Sequence, residues 1–317
     1  MARRRQSIST ALKQRLPEGG RLLLAVSGGK DSSVLLHATM HVYRLLNIHV
    51  EVCHVDHGLR PESAQDAAFV ERVCRDLQVP CHVVRLGERP PKTNMEAWAR
   101  GERYRVFREV MHRCDLHHLV TAHTANDVAE TLLMRLIANK ELTTIEEQDS
   151  RRGCLRPLLG ISREQIEEFV EANAVPYVED ASNEDTAILR NRVRKRVIPL
   201  LEGEFDPSVV WSLAERAQSV ASDCEALQYV AGEFMKEVGE VSLEDPAWLS
   251  RCSHTLSSVP YAIKWRVIQA LFTPLLGFTV GEARARAILG LIAGTEGVLD
   301  LGEGRSLQVT SAGVLLR

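Results

Sequence analysis

The sequence predicts an α/β fold: a doubly wound parallel sheet, then a second, mainly helical domain ending in short strands. Three observations carry this. Short apolar runs alternate with helix-spaced segments from residue 21 to residue 137. A Gly-Gly turn joins the first apolar run to the first helical pattern. Near Asp206-Pro207 the alternation stops and a single long helical pattern takes over. Alternating strands and helices imply βαβ units with helices on both faces of the sheet. A chain of 317 residues suits two domains, placed here at 1–206 and 207–317.

The elements follow in order. The start, with Arg3, Arg4 and Arg5, reads as a short first helix with a basic beginning. No apolar stretch follows the arginines, so a secretory signal is not expected. Residues 21–26 (RLLLAV) form a buried strand. Val34, Leu35, Ala38, Val42, Leu45 and Leu46 repeat at helical spacing. Residues 48–55 are a second strand, 63–77 a helix and 82–86 a third strand. Pro90-Pro91 breaks the chain before a long helix over 95–111. Residues 116–121 are a fourth strand and 127–137 a fourth crossover helix. The polar stretch 139–152 reads as a loop. Ser162 caps a short helix, with Gln165 placed for a capping box. Residues 179–183 form a turn. A long helix covers 208–237, further helices reach about Ile292, and 297–316 reads as short strands turning at Gly302 and Gly304.

Composition excludes several classes. With 45% hydrophobic and 26% charged residues, the chain is an ordinary globular protein. No apolar run is long enough for a membrane span, so no membrane is expected. The seven cysteines are irregularly spaced and form no C-x-x-C. They read as thiols in a reducing cytoplasm, not as a disulfide framework or zinc ribbon. The formal net charge of −3 argues against binding nucleic acid by bulk attraction. The charge is uneven, however: net −6 over 201–317 and +3 over 1–200. The basic excess concentrates at residues 190–196 (RNRVRKR).

Ser27-Gly28-Gly29-Lys30-Asp31-Ser32 lies between strand and helix. Its glycines admit a ligand close to the backbone, and a helix N-terminus offers free N–H groups to an anion. Asp31 beside a phosphate requires a cation between them, and Mg²⁺ held by Asp31 is the economical choice. Neither the Walker A nor the dinucleotide pattern fits. The loop instead resembles that of the N-type ATP pyrophosphatases, the PP-loop superfamily. This resemblance implies an adenine nucleotide α-hydrolase-like domain, with ATP cleaved between its α- and β-phosphates.

Further motifs narrow the resemblance. They are residues 54–60 (HVDHGLR), 100–104 (RGERY), Ala122-His123, 127–131 (DVAET), 156–159 (RPLL), 180–183 (DASN) and 190–196 with Pro199. Together they resemble the tRNA(Ile)-lysidine synthetase family in its short form. The family implies that ATP adenylates the C2 carbonyl oxygen of the wobble cytidine in tRNA(Ile) with a CAU anticodon. Free L-lysine then attacks C2, AMP leaves, and lysidine results. Family members are often dimers, which makes a homodimer an expectation. The helical domain and its terminal hairpin are expected to contact tRNA.

Matching positions supplies candidate roles. Ser27, Gly28, Gly29, Lys30, Asp31 and Ser32, with His54, Asp56 and His57, would bind ATP. Asp31 would also hold Mg²⁺. Asp31, His123 and Arg194 are the candidate catalytic residues, Arg194 for charge developing in adenylyl transfer. Asp127 and Glu130, three apart on one helix face, would bind the lysine. Arg100, Arg103, Arg190, Asn191, Arg192 and Arg196 would meet tRNA. Two departures stand out. The family's A-H-H-x-D-D has Thr124 for its second His and Asn126 for its first Asp, and its glycine-rich segment is replaced by residues 138–144 (ANKELTT). Two other readings are carried: a tRNA 2-thiolation enzyme of the same superfamily, which the missing cysteine pair opposes, and a protein that binds ATP and tRNA without transferring lysine.

Overall fold

Strand and helix follow one another as the sequence predicts: α1 (Ile8–Arg15), β1 (Arg21–Ala25), α2 (Lys30–Val42), β2 (His49–Asp56), α3 (Ser63–Asp76), β3 (Cys81–Arg85), α4 (Met95–Arg113), β4 (His118–Val120) and α5 (Ala125–Ile137). The computed structural model describes residues 6–58, 63–87, 95–138, 142–149, 152–179, 187–239, 245–294, 297–302, 305–310 and 313–316. Arg3–Arg5, Leu59, Arg60, Pro90-Pro91, part of the 139–152 loop, the DASN motif at 180–183 and Gly304 lie outside the described residues.

Two short strands, β5 (Gln148–Asp149) and β6 (Cys154–Leu155), complete the sheet in a stretch that reads as loop from sequence. Strands this short show no hydrophobic period. The order is β3-β2-β1-β4-β6-β5. All neighbours pair in parallel except the edge pair β5–β6. The chain winds outward from β1 to β3, then returns to place β4 on the other side of β1. The crevice beyond the carboxyl ends of β1 and β4 is therefore the topological switch point, where such sheets bind ligands.

Side-chain alternation explains the layers. Leu22, Leu24, Val50 and Val52 face one core with α1, α2, α3 and α6 (Arg163–Asn173). Leu23, Cys53, Val55 and Leu119 face another, with Val106, Phe107 and Val110 of α4. The capping box of α6 forms as the sequence predicts: the Gln165 amide donates to Ser162 Oγ, and Gln165 Oε1 accepts from the Ser162 amide.

After α6 come α7 (Leu189–Arg192), a π-helical turn (Val193–Val197), α8 (Ile198–Glu204) and α9 (Val209–Val238). The chain divides into two compact units, Met1–Gln218 and Ser219–Arg317, and the division falls inside α9. Its first turns belong with the first unit because Val210, Ala214 and Ala217 pack with Val128, Ala129 and Leu132 of α5. The second unit contains α10 (Pro246–Ser257), α11 (Tyr261–Leu276), α12 (Glu282–Ala293) and an antiparallel sheet β7 (Gly297–Gly302), β8 (Arg305–Thr310), β9 (Gly313–Leu316). Its core centres on Trp248 and Phe272, whose rings meet edge to face at 6.2 Å. Among the described residues no helix is long and apolar enough to cross a membrane.

Candidate active site

The loop after β1 shapes itself through short-range bonds. Gly28 takes φ +91°, a backbone region closed to most side chains. Any Cβ there would also press on Val70 Cγ2 at 3.3 Å. The Ser27 amide donates to Ser32 Oγ (3.1 Å), Ser32 Oγ donates to the Gly29 carbonyl (2.9 Å), and Ser33 Oγ donates to the Gly28 carbonyl (3.2 Å). Gly29 caps α2 without a side chain, so the first-turn N–H groups keep their capacity for an anion. The Val178 amide donates to the Gly28 carbonyl (2.9 Å), tying the loop to the strap after α6. Lys30 pairs with Glu167 (3.3 Å) and lies over the Tyr177 ring.

Asp31 opens α2 on the wall of a cleft of about 1200 Å³. Burial, reinforced by Asp127, raises its carboxyl pKa to about 6, against the opposing pull of Arg163, Arg194 and Lys30. A carboxylate so placed gains from a cation. Its oxygen donors, beside a helix N-terminus without a side-chain cap, are of the kind Mg²⁺ accepts. At the end of β2, His54 Nδ1 lies 2.9 Å from the Val26 carbonyl and donates to it. Asp56 accepts from the Gly58 amide at 2.7 Å. Burial opposes its charge, but this bond, Ser63 and Arg85 hold its pKa below the usual carboxylate range. His57 also lines the cleft.

The opposite wall is built around α5. Thr124 caps it, with its amide and hydroxyl both donating to Asp127 Oδ2 (2.8 and 3.1 Å). His123 Nδ1 is 2.9 Å from Thr121 Oγ1. Burial pushes the imidazole pKa down to about 4: Asp127 opposes the shift, while Arg156, Arg100 and Arg190 add to it. His123 is therefore neutral near pH 7. Glu130 is fully buried and grips Arg194 through two bonds, Nε to Oε1 at 2.6 Å and a terminal nitrogen to Oε2 at 3.0 Å. Arg194 also reaches Asp127 Oδ1 at 3.6 Å, and Arg190 Nε lies 3.7 Å from Glu130 Oε2. Burial raises the Glu130 pKa against the pull of Arg194.

The structure thus brings Ser27, Gly29, Lys30, Asp31, Ser32, His54, Asp56, His57, Arg100, Arg103, His123, Asp127 and Arg194 to one cleft wall or another. Glu130 stands behind that wall with Arg190. Asn191 is buried, while Arg192 and Arg196 are exposed. The π-helical turn aims Arg194 inward and Arg196 outward. Asn126, at the family's first Asp position, accepts from the Arg163 amide at 2.9 Å. An amide does this as well as a carboxylate would. Tyr104, of the RGERY motif, lines the cleft too, as do Arg163 and Tyr177, which were not singled out from sequence. Arg163 left one signal: a cation in the first turn of α6, where the helix dipole favours acids. Of the seven cysteines, all among the described residues, Cys53 alone lines the cleft. Burial pushes its thiol up to about 12, which suppresses the thiolate needed for sulfur chemistry.

Comparison with known proteins adds independent information. A family model described as a PP-loop domain matches residues 2–201. The chain is 36% identical over 269 residues to the tRNA(Ile)-lysidine synthase of Thermosynechococcus vestitus, covering 83% of this chain and 76% of that protein. It is 32% identical over 284 residues to the synthase of Gloeobacter violaceus, covering 88% and 84%. It spans about half (47%) of the Clostridium perfringens synthase, at 36% identity over 67% of this chain. Among solved structures, the U34-tRNA thiolase NcsA from Methanococcus maripaludis with its [4Fe-4S] cluster superposes with a TM-score of 0.59 over 68% of this chain and 78% of that one. At 16% identity, that likeness concerns the fold alone.

Proposed function

Because the chain belongs to the tRNA(Ile)-lysidine synthases of the PP-loop family, we propose that it adenylates a tRNA(Ile) wobble cytidine and joins lysine to it. The observation that carries this reading is the convergence of Asp31, Asp127 and Arg194 on one cleft at the switch point. The phosphate loop holds the β- and γ-phosphates through the N–H groups of α2, and the Ser27 and Ser32 hydroxyls join when Ser32 Oγ turns from the Gly29 carbonyl. Mg²⁺ held by Asp31 would neutralise phosphate charge when bound. The cytidine O2 attacks the α-phosphorus and pyrophosphate leaves. Arg194, kept in place by Glu130, stabilises the charge that builds on the α-phosphate. The lysine ε-amine then attacks C2, and AMP departs with the former O2. Asp127 supplies negative charge for the cationic amino acid. Neutral His123 offers a hydrogen bond and adds no further positive charge. Arg100 and Arg103 at the cleft, with exposed Arg192 and Arg196, meet RNA phosphates.

This reading places the protein in the cytoplasm with tRNA(Ile) bearing CAU as its substrate. A homodimer belongs to the same reading and is tested by sedimentation. The central experiment incubates the purified chain with that tRNA, ATP, Mg²⁺ and radiolabelled lysine. Label in acid-precipitable RNA is the expected result. Pyrophosphate release without label would point to another nucleophile, and the absence of both products would overturn the reading.

A further inference from the structure

A second cluster of metal-ligating side chains lies at the other end of the sheet. Glu51 is the third residue of β2, His82 the second of β3, and Cys114 follows α4 directly. Their ligand atoms all lie within 4.8 Å of one another. Alternation explains the meeting. Glu51 shares a sheet face with Cys53 and Val55, His82 with Val84, and that face packs on α4. The cluster sits toward the amino ends of the strands, away from the cleft at their carboxyl ends.

From this geometry we infer that Glu51, His82 and Cys114 form a binding site for a zinc-class divalent ion, with a water as the fourth donor. One carboxylate oxygen, one imidazole nitrogen and one thiolate sulfur are the donor set that zinc accepts. A tetrahedral zinc with bonds of about 2.0–2.3 Å separates its ligand atoms by roughly 3.3–3.6 Å. His82 Nε2 already stands 3.7 Å from Cys114 Sγ. It is 2.6 Å from Glu51 Oε2, so that pair would open by about 0.8 Å. His49 holds the other carboxylate oxygen at 2.9 Å and orients Glu51 from outside the donor set. On binding, the Cys114 thiol releases its proton to solvent, and the His82 ring carries its proton on Nδ1. The exposed Arg113 side chain, 3.4 Å from Nδ1, turns into solvent. The ion would join β2, β3 and the C-terminal end of α4, the helix that carries Arg100 and Arg103 to the cleft. It is a structural fastening distinct from the Mg²⁺ of the reaction.

The test titrates chelator-treated full chain with Co²⁺, without nucleotide or tRNA. A thiolate-to-cobalt charge-transfer band saturating at one ion per chain is expected, displaced by Zn²⁺. Cys114→Ser should abolish the band. His82→Gln, which keeps the thiol, should weaken Co²⁺ binding at least tenfold. Zn²⁺ at about a hundred times its dissociation constant should raise the unfolding midpoint by about 5 °C in the unsubstituted chain alone. Absence of the band, its persistence in Cys114→Ser, or unchanged affinity in His82→Gln would each overturn the proposal. The three residues would then be a hydrogen-bonded group only.

Discussion

The two walls of the cleft are built on different principles. On the phosphate-loop wall, the side-chain bonds that shape the turn join residues no more than five positions apart, from Ser27 to Ser32 and from Gly28 to Ser33, and the longer-range bonds of Val178 and Glu167 fasten that turn to its surroundings. On the α5 wall the local cap of Thr124 on Asp127 is joined by bonds between residues far apart in sequence. Arg194 and Glu130 are separated by 64 positions, Arg190 and Thr131 by 59, and Arg163 and Asn126 by 37. The first wall carries the shape of its turn in one short string. The second exists only after α7 and the π-helical turn have packed on α5. Damage to the first should therefore remove chemistry and spare the fold, whereas damage to the second should disturb both.

The largest effect is expected on the first wall. Asp31→Ala should lower pyrophosphate release by about a thousandfold, as removing a charge-organising group does, with the chain still folded by circular dichroism. Release left intact would end the metal assignment. The pKa sharpens this. Because the folded-state value is raised to about 6, from 3.8, Asp31 contributes stability below pH 4, and that contribution is lost as pH rises through 6. Asp31→Asn should thus be more stable than the parent at pH 7, by about 2 kcal/mol once partial exposure is allowed for, read as a higher denaturant midpoint. Pyrophosphate release by the parent should fall as pH drops through 6, and raising Mg²⁺ should move that midpoint lower.

On the second wall the expected order reverses, stability before chemistry. Glu130→Ala strands Arg194 without its buried partner, and breaking such a pair costs about 3–5 kcal/mol. Urea unfolding should show that loss, and adenylation and lysine transfer should fall together because Arg194 loses its aim. Loss of lysine affinity alone, with adenylation intact, would return Glu130 to direct contact with the amino acid. Asn126→Ala should cost less, about 1–3 kcal/mol, for the orphaned Arg163 amide. Asn126→Asp should keep the bond while adding charge next to Asp127.

The same contrast decides what could be read beforehand. The Gly-Gly turn, strand β1 and the Ser162 capping box announce themselves through local chemistry, so their places were legible. The i, i+3 spacing of Asp127 and Glu130 correctly put both on one face. It could not reveal that Arg194 would occupy Glu130, because that depends on a helical turn 64 residues away. Asn126 looked like a weakened acid in sequence. Its role as an acceptor for the Arg163 amide required the tertiary fold. Strands β5 and β6 were illegible for a simpler reason: two residues carry no period.

The smallest effect separates the outward face of the basic tract from its inward one. Arg192 and Arg196 are exposed, whereas Arg190 and Arg194 turn toward Glu130. Arg192→Gln with Arg196→Gln removes two solvent-facing cations without touching the buried pair. The unfolding midpoint should stay within error, as surface substitutions usually do. tRNA binding should weaken several-fold at moderate salt, and each lost phosphate contact should lower the salt slope by about one. Filter binding across a salt series measures both. An unchanged slope would mean that these arginines do not face RNA, and the tract would then serve the protein only through Arg190 and Arg194, as the long-range half of the second wall.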